Sequence, residues 1–261
     1  MEYFDSHAHY DDEKFDANRE KILQEIYKFG VTKIVSNGYS LEGSKNSLKL
    51  SEHYPFIYST VGISPNDLCN WEQDIKEIEK ILEERFNNNK IKNKIVAIGE
   101  IGLDYHYDTD KDIQKHAFIE QIKIANKYDL PITIHTREAV NDTLQILKEN
   151  PVNRKGIFHC CPLNRELVKE GLKLGFYISL SGTVTFKNSK NAEEISNLVP
   201  LDKMLIETDC PYLAPEPVRG TINNSMNLQY TVKKIAQFRN ITEEEIAKAT
   251  YQNAKKIYNI Y

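Results

Sequence analysis

The sequence predicts an α/β fold, a (β/α)8 TIM barrel with a metal site at the C-terminal face of the strands. Three observations predict it. Eight short apolar runs recur along the chain, rich in Ile and Val and mostly continuous, as strands covered on both faces are. Amphipathic stretches at helical spacing lie between them. The length, 261 residues, suits one barrel of about 250 residues. One domain over residues 1–261 is therefore expected. An open doubly wound sheet is the other arrangement of alternating strands and helices, but no G-x-G-x-x-G or Walker-type loop favours it.

The elements follow in order. Tyr3–Ser6 is the first run, and Asn18–Phe29 the first helix, with Ile22, Leu23, Ile26 and Phe29 on one face. Thr32–Ser36 and Phe56–Val61 are the second and third runs. Asp74–Phe86 places Ile75, Ile78, Ile81, Leu82 and Phe86 at helical spacing, and the Asn-rich patch Asn87–Asn93 reads as a solvated loop. Ile95–Gly99 comes next, then a helix over Lys111–Tyr128 with Ile113, Ala117, Ile119, Ile122, Ile124 and Ala125. Runs at Ile132–His135, Gly156–His159, Phe176–Leu180 and Met204–Glu207 alternate with weaker helical patterns at Ala139–Lys148, Arg165–Leu174 and Ala192–Leu198. Helices at Asn227–Phe238 and Thr242–Ile257 follow, and Thr242 with Glu245 has the spacing of a capping box.

Composition narrows the function. Lys and Arg number 34 against 38 Asp and Glu, a net charge of -4. A protein that grips DNA by a broad basic surface is excluded, because phosphate neutralisation needs clustered Lys and Arg. A nucleic-acid enzyme that holds a few phosphates with metals in a pocket is not. Mean hydropathy is -0.54, and no stretch approaches the roughly 20 apolar residues that cross a bilayer. The acidic start MEYFDSHAHYDDEKFD reads against a secretory signal. Cys69, Cys160, Cys161 and Cys210 show no CxxC spacing, so a reducing, cytoplasmic location is the expectation.

Chemistry collects at strand ends. Of seven histidines, His7 and His9 end the first run, His135 the fifth and His159 the sixth. Glu100 ends the fourth and Asp209 follows the eighth. Strand C-termini of a barrel surround one pocket, so these six converge. In His7-Ala8-His9 the two imidazoles are two apart on a strand and point the same way. An isolated HxH is weak evidence; joined by four more donors at matching ends it reads as a metal site. Imidazole and carboxylate suit Zn2+, Mn2+, Fe2+ or Ni2+, and carboxylates also suit Mg2+. Six donors exceed the three protein ligands usual for one catalytic zinc and suit two divalent ions.

These stretches resemble the TatD family of metal-dependent deoxyribonucleases, within the amidohydrolase-like hydrolases. The matching segments are FDSHAH at Phe4–His9, AIGEIGLDY at Ala97–Tyr105, LPITIHTRE at Leu130–Glu138, FHC at Phe158–Cys160, GFYISLSGTVTFKN at Gly175–Asn188 and ETDCPYLAP at Glu207–Pro215, then Arg219-Gly220. GEIGLDY and ETDCPYLAP carry most of the specificity. The resemblance implies that His7, His9 and Asp209 hold one metal, that Glu100 bridges to a second, and that His135 and His159 hold the second. It implies Asp209 as proton acceptor from the attacking water, and a deoxyribonuclease of 3'-5' exonuclease character acting on single-stranded DNA or an end. Three departures stand out. Ser64 replaces a histidine in VGISP, Cys161-Pro162-Leu163-Asn164 replaces an aromatic and a Ser-Gly pair, and Asn223-Asn224 lacks the usual acidic residue.

Other residues carry plainer readings. Arg137, two beyond His135, and Arg219 are candidate phosphate contacts, each with a salt bridge or loop contact as its alternative. Tyr105 and Asp104 line the pocket or hydrogen-bond a ligand from behind. Glu207 orients a ligand or satisfies backbone donors. His106 faces solvent, as do Lys187 and Lys190; His53 and His116 fall in helical stretches; Cys160 is a small buried side chain. Two rival functions remain at this point: hydrolysis of an amide, ester or lactone of a small molecule on the same site, and a non-catalytic scaffold on the same barrel.

Overall fold

Each apolar run becomes a strand because it is covered on both faces. In the computed structural model, which describes residues 1–87 and 93–261, the strands are β1 (Tyr3–Ala8), β2 (Val31–Asn37), β3 (Ile57–Val61), β4 (Ile95–Asp104), β5 (Ile132–Arg137), β6 (Gly156–Phe158), β7 (Tyr177–Leu180) and β8 (Met204–Ile206). Each pairs in parallel with the next in chain order. The expected barrel is nearly closed. At its seam the β1 and β8 ends are joined by main-chain bonds from Asp209 N–H to His7 O (3.0 Å) and from His9 N–H to Cys210 O (2.8 Å). Ser6 Oγ also donates to Ile206 O across the seam (2.9 Å).

The helices are α1 (Arg19–Phe29), α2 (Leu41–His53), α3 (Trp71–Asn87), α4 (Lys111–Lys127), α5 (Val140–Glu149), α6 (Arg165–Lys173), α7 (Ala192–Leu198), α8 (Leu228–Arg239) and α9 (Glu243–Tyr258). The capping box forms: Thr242 Oγ1 accepts from Glu245 N–H, and the Glu245 side chain accepts from Thr242 N–H. Helix α2 has no apolar stripe to announce it, for its buried face is Gly43, Ser44, Ser47 and Ser51. Its hydroxyls are bonded: Ser44 Oγ donates to Gly62 O (3.1 Å), and Ser47 Oγ meets Ser36 Oγ (3.1 Å). The Asn87–Asn93 patch lies largely outside the described residues, as does the Phe86 side chain.

Strand β4 runs five residues past the expected Gly99, to Asp104. Gly102 makes the extension possible. Its φ is 141°, and a Cβ there would lie 2.0 Å from His135 O on β5. Only glycine lets the two strands run this close.

A second apolar cluster fills the N-terminal end of the barrel. Phe4, Val35, Ala97, Ile157, Tyr177 and Leu205 meet Ala254, Ile257 and Tyr258 of α9. Tyr258 stacks on Phe4, centroids 6.0 Å apart, and donates its hydroxyl to Ser6 O (2.8 Å). Helix α9 therefore forms the floor of the barrel, and the opposite end is its mouth.

Candidate metal centre

All six expected donors come together at that mouth. His7 is on β1 and His9 one residue beyond its end; Glu100 is on β4 and His135 on β5; His159 directly follows β6 and Asp209 follows β8. His7, His9, Glu100 and His159 are buried, while His135 and Asp209 are partly open to solvent. Asp209 has a left-handed backbone, φ 57°, a conformation that Asp tolerates better than most residues.

Glu100 sits between two pairs of histidines. Its Oε2 lies 3.3 Å from His7 Nε2 and 3.7 Å from His9 Nε2. Its Oε1 lies 2.9 Å from His135 Nδ1 and 3.3 Å from His159 Nε2. Asp209 Oδ1 completes the first side, 3.3 Å from His9 Nε2 and 3.5 Å from His7 Nε2. The ring nitrogens themselves crowd: His7 Nε2 and His9 Nε2 are 3.1 Å apart, His135 Nδ1 and His159 Nε2 3.2 Å. Three sets of three donors, with ligand atoms within 4.8 Å of one another, are His7–His9–Glu100, Glu100–His135–His159 and His7–His159–Asp209.

The outer nitrogens fix the inner ones. His9 Nδ1 donates to Asn37 O (2.9 Å), and His135 Nε2 to Asp104 Oδ2 (3.1 Å). A carbonyl and a carboxylate can only accept, so both inward nitrogens are left to bind a cation or a second proton. His159 Nδ1 lies 3.4 Å from Glu207 Oε1, a charge contact without a hydrogen bond. His7 Nδ1 is buried with no hydrogen-bond partner.

Charge at the centre favours cations. Burial pulls the His9 pKa down, but Asp209 and Glu100 outweigh it and hold it up at about 9. His159 is raised well above its ordinary value by Glu100 and Glu207 against the same burial. His7, buried beside His159, is lowered. Burial pushes Asp209 and Glu100 up, yet the histidines win, leaving Asp209 at about 2 and Glu100 well below the carboxylate range. Crowded imidazoles around two ionised carboxylates fit divalent cations, which would take the place of those protons.

Neighbouring residues serve the six. Asp104 bonds His135, as one of its two expected roles, and accepts from Asn66 Nδ2 (3.1 Å). Glu207 accepts the Cys160 N–H, as a carboxylate satisfied by a backbone donor, and lies 3.4 Å from His159 Nδ1. Asp5 ties β1 to the β8 end by accepting from Thr208 and Ser225. The Asn37 carbonyl was not foreseen, because a main-chain acceptor has no side-chain signature.

The three candidate substrate contacts lie on the rim. Arg137 is exposed, its guanidinium carbon 5.6 Å from the Tyr107 ring centroid. Arg219 is stacked over Phe186 at 3.9 Å. Tyr105 donates its hydroxyl to Asp142 Oδ2 (2.6 Å). His106 is exposed and faces Glu138 at 2.8 Å. The departures from the family pattern have structural roles. Buried Ser64 donates its N–H to Tyr39 O (2.8 Å), and its hydroxyl accepts from Asn66 N–H (3.3 Å). Asn164 caps α6 by accepting from Leu167 N–H (2.9 Å). Asn223 bonds Thr208 O (2.9 Å) and Tyr212 O (2.7 Å), fixing the segment after Asp209. Among the described residues, no helix is long and apolar enough to cross a membrane.

Known proteins resemble this chain in sequence and in fold. A family model described as TatD related DNase matches residues 4–259. An uncharacterized metal-dependent hydrolase of Bacillus subtilis (strain 168), YabD, is 39% identical over 260 residues, covering 98% of this chain and 99% of its own. An uncharacterized metal-dependent hydrolase of Buchnera aphidicola subsp. Baizongia pistaciae (strain Bp) is 37% identical over 265 residues, covering 100% of this chain and 97% of its own. The crystal structure of YJJV, a TatD homolog from Escherichia coli k12, superposes with a TM-score of 0.92 at 27% identity, covering 99% of this chain and 98% of that one.

Proposed function

The chain belongs to the family of TatD-related DNases, and on that footing we propose that this metal-dependent hydrolase cleaves phosphodiester bonds of DNA, removing nucleotides from a single-stranded end. One observation carries the reading: Glu100 turns one carboxylate oxygen to His7 and His9 and the other to His135 and His159. His7, His9 and Asp209 would hold one divalent ion, His135 and His159 a second, with Glu100 shared between them. When bound, such ions supply Lewis acidity, which lowers the pKa of a water and draws charge from phosphate oxygens.

The chain's own residues do the rest. Asp209 is ionised throughout the neutral range, with Oδ1 turned to His7 and His9, and its Oδ2 takes the proton of the attacking water. Asp104 keeps the inward nitrogen of His135 free by accepting from the outward one, and the Glu207 carboxylate faces the outward nitrogen of His159 at 3.4 Å. No side chain is needed as a covalent nucleophile, so cleavage is a direct attack of water on phosphorus. Arg137 and Arg219, both exposed, would meet phosphates further along a strand.

The test is nucleotide release from end-labelled single-stranded DNA by metal-stripped protein, with and without added Mg2+, Mn2+ or Zn2+, beside Asp209→Asn. Release that needs metal and vanishes in the variant supports the reading, and the labelled end reports the polarity, expected to be 3' to 5'. No release from folded, metal-loaded protein sinks DNA as the substrate and leaves small esters, amides or lactones to be tried.

A further inference from the structure

Two rim tyrosines play no part in the hydrolysis chemistry. Tyr39, between β2 and α2, and Tyr212, three residues past Asp209, are 40% and 45% exposed. Tyr212 donates its N–H to Asp209 O (3.0 Å). The Tyr39 ring meets His9 edge-on, centroids 5.6 Å apart at 75°. Burial and the Asp12 carboxylate that its hydroxyl faces push the Tyr212 phenol up.

Neither residue is loosely held. Tyr212 donates its hydroxyl to Asp12 Oδ2 (2.7 Å), and Asp12 Oδ1 accepts the Lys14 N–H (2.8 Å). Arg19 pins that loop through Tyr10 O (2.7 Å) and Asp12 O (3.0 Å). Ser64 N–H holds the Tyr39 carbonyl. Lys14 Nζ lies 4.0 Å from the Tyr212 ring centroid, covering one face. A scattered exposed tyrosine needs no explanation. Two anchored ones beside the same donors are a preorganised surface, which loses little freedom on binding.

The surrounding charge says what that surface is for. Asp11, Asp12, Glu13 and Asp67 are the groups that act on Tyr39, and the chain is net acidic. Phosphate attraction by the protein surface is therefore weak on this side. Aromatic stacking on bases is a source of affinity that needs no positive surface, and it tolerates any base. We propose that Tyr39 and Tyr212 form a stacking platform for an unpaired base next to the phosphate cleaved at His9 and Asp209. The proposal rests on the nuclease reading above and narrows it: paired bases have no free face to offer, so unpaired ends are selected.

The test uses the full metal-loaded protein and two short fluorescent deoxyoligonucleotides with the same phosphates, one of them lacking its bases. Anisotropy reports binding, and label release reports cleavage. Wild type should bind the base-bearing strand about tenfold or more tighter. Tyr39→Ala and Tyr212→Ala should lose that difference, and Tyr39→Trp should keep it. Should the alanine variants fail to fold, the two strands compared on wild type and Tyr39→Trp still decide the question. Equal affinity of wild type for both strands, with cleavage intact, overturns the platform and leaves the nuclease reading standing. Neither strand bound nor cleaved, by folded protein with its metal, overturns both.

Discussion

The main-chain N–H of Asp209 donates to the carbonyl of His7 at 3.0 Å, so the first and last strands of the barrel are joined through two residues of the candidate metal centre. A cation held by His7, His9 and Asp209, as proposed, would clasp the same seam. Saturating Zn2+ or Mn2+ should therefore stabilise metal-stripped protein. At ligand about 100 times its Kd the gain is about 2.7 kcal/mol. For a chain of this size that is a Tm rise of about 5–10 °C. Asp209→Asn should lose much of the rise. Scanning calorimetry with and without metal checks it, and an unchanged Tm would speak against the clasp.

The metal-free centre itself should contribute most to stability near pH 6.5. His9, raised from 6.5 to about 9, contributes stability that is complete below 6.5 and lost as pH climbs through 9. Asp209, lowered from 3.8 to about 2, contributes stability that is complete above 3.8 and lost as pH falls through 2. His7 is lowered, so it opposes folding in acid and ceases to do so above its ordinary 6.5. Added metal takes the place of protons on His9 and His159, so the fall above pH 6.5 should flatten and metal binding should release protons. Denaturant titrations across pH, with calorimetric titrations in buffers of different ionisation enthalpy, measure both. A metal-free stability that climbs from pH 6.5 to 9 contradicts the assignment.

Glu207→Gln should weaken metal binding without unfolding the protein. The carboxylate faces His159 Nδ1 at 3.4 Å and accepts the Cys160 N–H. An amide can still accept that N–H through its oxygen, but it no longer fixes the His159 tautomer by charge. Losses of about 10- to 100-fold in metal affinity are typical of such partners. Competition against a chelator gives the number. Glu207→Ala should in addition cost about 1–3 kcal/mol, because the buried N–H is left unpaired.

Gly102→Ala should be far more damaging than Gly220→Ala. Both glycines have positive φ, 141° and 85°, so both substitutions carry backbone strain. At Gly102 the new Cβ would also lie 2.0 Å from His135 O, while at Gly220 nothing lies within 4 Å. The strand carrying His135 must move, at a cost of about 3 kcal/mol or more against about 1 kcal/mol for the second variant. Urea midpoints of the two variants compare these costs, and equal midpoints would show that β5 yields freely.

Much of this was legible in the chain. The eight strands were readable because continuous apolar runs reflect burial on both faces, and the six donors because each sits at the end of such a run. Helix α2 was not, since its buried face is serine and glycine and its packing is by hydroxyl bonds rather than an apolar stripe. Strand β4 continues past the expected end at Gly99 because Gly102, which breaks the apolar run, serves close strand approach rather than a turn. Arg137 and Arg219 were legible as charges at the mouth, but stacking on Tyr107 and Phe186 depends on loop paths that no local pattern encodes.

The floor built by α9 has a kinetic consequence. Phe4, Tyr177, Leu205 and Tyr258 close the barrel below the metal centre, so substrate and product share one door. If the substrate is a DNA strand, as proposed, it would not be threaded through and pushed out of the far side; each released nucleotide would leave by the path the next end has to enter. Traffic through that door would couple turnover to clearance, with product competing with incoming substrate for the same opening.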